Sequence, residues 1–234
     1  MPDSSPQISQ PLLQEFLNLL REKKYSENSL QSHRLDLQKY LDWLGDGGEV
    51  SLEQLQVLKP ADIQDYVEYL YQDYKPSTIA RHLSSLKLFL NDLELSGKIR
   101  TNPVHRVRYP EVIADAPQTL SADEVIKLLE TPDPAHYLGL RDRAILELLY
   151  SSGLKVKELL NLNVEDLFLN MSFLKVRGKR ERMVPMTDKA VEALEEYLQS
   201  AREQRLLNKS DPCLFPGRNG TRMSRMGFWV MIRK

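Results

Sequence analysis

The chain has 234 residues, with 32 Lys and Arg against 33 Asp and Glu, a net charge of −1 at pH 7, 41% hydrophobic residues and 28% charged ones. That is ordinary globular usage, enough for one large or two small domains. It excludes a chain that is basic throughout, and no apolar run approaches the roughly 20 residues that a bilayer-spanning helix needs.

Residues 1–8, rich in Pro, Ser and Gln, have neither a basic nor an apolar segment and read as a disordered leader, not a signal peptide. The single cysteine, Cys213, cannot form an internal disulfide, which points to a reducing cytoplasm. Flanked by Pro212 and Leu214 with no histidine nearby, it reads as a buried thiol and not as a nucleophile or metal ligand. No metal site or cofactor is expected. Charge is uneven: Arg202 to Lys234 carries eight basic residues against two acidic ones, an end able to face polyphosphate.

In chain order, Leu12, Leu13, Phe16, Leu17, Leu19 and Leu20 recur at helical spacing behind Ser9 as a candidate N-cap. Ser26 caps a second helix whose stripe is Leu30, Leu37, Tyr40, Leu41 and Leu44, stopped by Gly45, Gly47 and Gly48. A third starts at Pro60 as its first residue and turns Ile63, Val67 and Leu70 inward. Ser77 is the expected cap of a fourth, with Ile79, Leu83, Leu86, Phe89, Leu90 and Leu93 apolar, ending at Gly97. The spacing thus predicts a compact four-helix domain over residues 9–101. Pro103, Pro110 and Pro117 break the periodicity of residues 102–119, the expected linker.

The second domain is expected over 120–234. It restarts at Ser121 with Asp123 and Glu124 in the first turn, followed by an apolar helix over Leu138–Tyr150 and a further helical start at Val156–Leu160. Past Asp166 the period becomes alternating through Phe168, Met171, Phe173, Leu174 and Val176, then Met183, Val184 and Met186, around a turn at residues 178–181. This predicts a small antiparallel β-sheet, with Ala190–Leu207 returning to helix. The fold class is mainly α with that sheet inserted.

The hairpin concentrates Lys175, Arg177, Lys179, Arg180 and Arg182. Upstream, residues 149–159 read LYSSGLKVKEL, and the hairpin block over 176–186 reads VRGKRERMVPM. The two resemble consecutive motifs of the tyrosine recombinases, specifically the Xer group: L-Y-x-[ST]-G-L-R-V-x-E-L and V-x-G-K-G-x-K-x-R-x-V-P-L. Ser26–Leu44 resembles that family's first DNA-facing helix. Ser77–Gly97 with Asn102–Pro103–Val104 resembles its arm helix and linker, and Leu214–Phe215–Pro216 with residues 223–229 resembles the segment before its catalytic helix.

The resemblance implies an N-terminal SAM-like core-binding domain and a catalytic-type domain that hold a duplex DNA half-site. Chemistry in the family is attack by a tyrosine, with arginines neutralising the transition state and a hairpin lysine protonating the leaving oxygen. By this match Lys179 is the hairpin lysine and Lys155 occupies the first arginine position. Lys155 keeps the charge and loses the planar fork, and the hairpin block is two residues short. The family's H-x-x-R, its later His or Trp and its Tyr fall beyond Lys234, and no tyrosine follows Tyr197. The string His105–Arg106–Val107–Arg108 matches H-x-x-R but stands in the linker, where a DNA-backbone contact is the better use.

The resulting expectation is an Xer-like protein that binds DNA without cleaving it. Lys155 and Lys179 are remnant catalytic positions. Arg34, Lys39, Arg81, His82, Lys87, Arg106, Arg108, Arg180, Arg182, Arg222 and Arg225 are the expected DNA contacts. The implied protein is cytoplasmic and nucleoid-associated, monomeric in solution, with a full-length tyrosine recombinase as a further partner. Two alternatives stay open: a fragment of an active recombinase, and a helical protein-interaction scaffold.

Overall fold

A computed structural model describes residues 9–47, 50–113, 116, 118–178, 180–206, 208 and 211–233. The chain divides into two compact units, Met1–Ala116 and Pro117–Lys234. The expected leader and Gly48 lie outside the described residues.

The first unit is helical: α1 (Ser9–Glu22), α2 (Glu27–Leu44), α3 (Leu52–Gln56), α4 (Pro60–Tyr71) and α5 (Pro76–Leu95). Ser26 caps α2 by accepting from the Ser29 N–H, and Pro60 is the first residue of α4. Gly45 ends α2 and Gly47, at φ +79°, turns the chain away. Three details depart from the sequence pattern. α3 is a fifth helix of a single turn, too short for a period to show and held by a Ser51–Gln54 capping box. α1 already includes Ser9. α5 begins at Pro76, with Lys75 as its cap and Ser77 inside, because proline's fixed φ suits a first helical position.

The stripes of these helices meet in one core. Leu13, Phe16, Leu37, Tyr40, Ile63, Tyr66, Leu70, Ile79, Leu83, Phe89 and Leu90 are buried, and Phe16 meets Phe89 edge-on at 5.4 Å. Each such side chain contributes about 1.5–3 kcal/mol relative to exposure.

The first half of the expected linker belongs to this unit. Pro103–Arg106 is a 3-10 turn whose Pro103 and Val104 are buried, with Val107 and Tyr109 packed on the same core. Asn102 fixes it: its Oδ1 accepts from Val104 N–H, and its Nδ2 donates to Lys87 O and Asn91 Oδ1. His105 Nε2 lies 2.9 Å from that same Asn91 oxygen.

The second unit runs α6 (Ala122–Glu130), α7 (Tyr137–Ser152), α8 (Val156–Leu160), β1 (Leu167–Phe168), β2 (Phe173–Val176), β3 (Arg182–Pro185), α9 (Asp188–Ser200) and α10 (Arg225–Ile232). Ser121 and Glu124 form a capping box ahead of α6. Gly153, left-handed at φ +59°, closes α7. Early in α7, Gly139 passes so close to residue 133 that a Cβ would stand 1.8 Å from Asp133 O. The sheet is an antiparallel meander in the order β1-β2-β3, with Leu174 opposite Val184 and Val176 opposite Arg182. Leu174 and Val176 face the core, where Ala144, Ile145, Leu148, Leu159, Leu194 and Tyr197 are also buried.

α9 stops at Ser200 and a 3-10 turn over Arg202–Arg205 follows, so the helix expected to reach Leu207 is shorter. Cys213 is fully buried in an isolated bridge with Asn163, and burial, helped by Asp211, pushes its thiol up to about 11. In α10, Phe228 and Met231 are buried while Met226, Trp229, Val230 and Ile232 are exposed. No described helix is long and apolar enough to cross a membrane.

Candidate nucleic-acid interface

Within the first unit, α2 and α5 pack side by side and carry most of the expected contacts. Arg34 is exposed on α2. Lys39 is half-buried, its Nζ 5.4 Å and 5.2 Å from the centres of the Tyr69 and Tyr74 rings, an attraction that holds the ammonium against the unit. Arg81 on α5 is exposed, with its Nη1 bonded to both oxygens of the buried Asp36. Lys87 is half-buried, and Arg106 and Arg108 are exposed at the docked 3-10 turn.

His82 departs from its expected place. It sits on the inner face of α5, 4% exposed, between Asp36 and the Tyr66 hydroxyl. Burial lowers its pKa, and it faces the core instead of a ligand.

Within the second unit, Lys155 and Arg182, 27 positions apart in sequence, converge on one carboxylate. Lys155 is exposed as the N-cap of α8, and its backbone N–H donates to Glu158 Oε2 at 3.0 Å. Arg182, at the start of β3, meets Glu158 with a two-pronged contact of 2.9 Å and 3.0 Å. These bonds, the guanidinium's first and the Lys155 N–H second, hold the Glu158 carboxyl down at about 2. Two further cations of the hairpin are similarly paired: Lys175 with Glu181 at 2.8 Å, and Arg177 with Glu165 at 2.8 Å and with the buried Asp166 at 2.6 Å. Arg180 is exposed at the turn with no ion pair among the described residues. Lys179, the expected hairpin lysine, lies outside the described residues.

Arg222 also departs from expectation. Its Nη1 donates to the carbonyls of Leu160 and Leu162, both at 2.9 Å, and its Nη2 to Asn163 Oδ1, so it ties the segment after α8 to the bridge at Pro216–Arg222. The guanidinium is spent on internal acceptors. Arg225 remains exposed at the start of α10. Tyr197, the last tyrosine in the sequence, is buried and donates its hydroxyl to Leu214 O at 2.9 Å; burial raises its pKa.

Two acids escaped the sequence reading. Glu158 was legible as the acid of the L-x-V-x-E-L string, although its partner Arg182 was not. Asp36 was legible only as a carboxylate placed one turn from Tyr40 beside an apolar stripe. No group of three or more His, Cys, Asp or Glu among the described residues is placed to hold a metal ion.

A helical unit followed by a helical unit with a cation-bearing three-stranded meander is the architecture of integrases. The Tn1549 transposon integrase in complex with circular intermediate DNA matches with a TM-score of 0.71 at 17% identity over 95% of this chain and 77% of that one. A lambda integrase tetramer bound to a Holliday junction matches at 0.71 and 15% identity, over 96% of this chain and 64% of that one. Residues 118–234 match the phage integrase family, and residues 13–96 its N-terminal SAM-like domain. The tyrosine recombinase XerD of Pseudomonas aeruginosa is 37% identical over 97% of this chain and 76% of its own length. XerD of Vibrio cholerae is 35% identical over 96% and 74%. The chain belongs to the phage integrase family of tyrosine recombinases, and its relatives mark it as Xer-like.

Proposed function

We propose that this chain binds a duplex DNA half-site through both of its units and does not cleave it on its own. The observation that carries the reading is Lys155: at the position matched to the family's first arginine, the exposed group on the cap of α8 is an ammonium. An ammonium attracts a phosphate as a point charge and lacks the bidentate fork suited to a transferring phosphoryl group. The short hairpin block supports the same reading. So does Tyr197, whose hydroxyl is engaged inside the core and whose raised pKa disfavours the phenolate.

Binding is supported by the exposed cations of each unit: Arg34, Arg106 and Arg108 in the first, Lys155, Arg180 and Arg225 in the second. Being exposed, they engage backbone phosphate and give affinity without sequence. The protein is proposed to act as a monomer in the cytoplasm, at the nucleoid, with a full-length recombinase supplying any strand cleavage.

Titration of the full chain on duplex DNA at graded salt, followed by incubation with a nicked suicide substrate, tests both halves. The expected result is affinity that falls steeply with salt and no adduct that survives denaturing detergent. A covalent protein–DNA adduct overturns the second half, and salt-independent or absent binding overturns the first.

A further inference from the structure

A polar cluster at the junction of α2, α4 and α5 does more than hold helices together. Asp36 is buried, its side chain 1% exposed, and its oxygens are filled. Arg81 Nη1 donates to both of them, Ser85 Oγ donates to Oδ2 at 2.7 Å, and His82 Nε2 lies 3.3 Å from Oδ1. His33 Nδ1, 2.9 Å from Ser85 Oγ, and the Tyr66 hydroxyl, 3.3 Å from His82 Nδ1, close the cluster on either side. A buried carboxylate with its acceptor directions occupied cannot swing, and it fixes the guanidinium that it holds. That guanidinium nevertheless reaches the surface. The Arg81 side chain is 48% exposed, and among the described residues neither its Nε nor its Nη2 takes a hydrogen-bond partner.

We propose that Arg81, braced by Asp36, reads the O6 and N7 acceptors of a guanine in the major groove of bound duplex DNA; this rests on the DNA-binding reading above. Three features select a base over a phosphate. Asp36 offsets the charge of Arg81, so a phosphate contact there gains little from counterion release. The unused Nε–Nη2 edge presents two parallel N–H donors, the arrangement that guanine's two acceptors match. Bracing from a neighbouring helix removes side-chain freedom in advance, which favours a ligand recognised by direction over one recognised by charge.

The test begins with the full chain and a pool of random-sequence duplexes, from which bound DNA is selected and sequenced. The selected duplex is then titrated with 7-deazaguanine, which lacks N7, at each guanine in turn, against the unaltered chain and the R81K variant. At one position the substitution weakens the unaltered chain by about 5- to 150-fold. R81K, which keeps the charge and loses the fork, is nearly indifferent to that position and keeps the salt slope. Indifference of the unaltered chain to every 7-deazaguanine overturns the proposal whatever R81K does. Equal sensitivity of R81K overturns it too. Failure of the unaltered chain to bind any duplex is a separate result, read at the first step, that overturns the DNA-binding reading and this proposal with it.

Discussion

Replacing Arg222 by methionine separates an internal brace from a DNA contact. Methionine keeps much of the apolar stem and removes the guanidinium and its three hydrogen bonds, leaving Leu160 O and Asn163 Oδ1 without that donor and Leu162 O with the Leu214 N–H alone. A hydrogen bond from a charged donor is worth about 1.5–3 kcal/mol net, but Arg222 is half-buried and water recovers part of each. About 1 kcal/mol per acceptor then gives a destabilisation of about 3 kcal/mol. For a unit of this size that is a fall of about 12 °C in the second unit's midpoint. Differential scanning calorimetry of the full chain reads it, and DNA titration at graded salt, run well below that midpoint, reads the alternative. If R222M melts within about 1 kcal/mol of the unaltered chain while its affinity drops and its salt slope becomes shallower, Arg222 is a phosphate contact and the bracing argument fails.

Glu158 makes stability depend on acid. Its folded-state pKa of about 2 lies below the ordinary 4.5, so its contribution is present above pH 4.5 and lost as pH falls towards 2. In urea titrations the stability gap between the unaltered chain and E158Q should close across that window, and a constant gap would assign the effect elsewhere. Y197F removes the donor to Leu214 O and should cost about 1–2 kcal/mol with DNA affinity unchanged, as denaturant unfolding and DNA titration read. G139A forces a Cβ to within 1.8 Å of Asp133 O unless the segment moves, and should lower the calorimetric midpoint by the equivalent of about 2 kcal/mol or more.

The apolar stripes made α2, α4 and α5 legible because each helix buries one face in a single core, and the switch to alternation after Asp166 made the sheet legible for the same reason. Apart from the single turn α3, what escaped was set by partners remote in sequence. α3 is held by one capping box and by the burial of Leu55, too little for a period. The turn after Asn102 is irregular by pattern yet docked, because Asn91 and Lys87 supply its hydrogen bonds from 11 and 15 residues away. A cation's destination is equally invisible along the chain: Arg222 and Arg225 look alike in sequence, and only the carbonyls that end α8 tell them apart. His82 and Arg81 are adjacent, yet the turn of the helix sends one inward and the other out.

Cys213 gives the second unit a built-in clock. The sequence has no other cysteine, and this one is sealed in the bridge to Asn163 with its thiol pushed up to about 11, so the folded chain at neutral pH presents almost no thiolate to an alkylating reagent. Reaction requires the segment around it to open. The alkylation rate at fixed reagent therefore counts openings of that unit alone, even while the first unit stays folded, and does so without a tag or an engineered residue. A ligand that binds only the closed second unit should slow the clock in proportion to its occupancy.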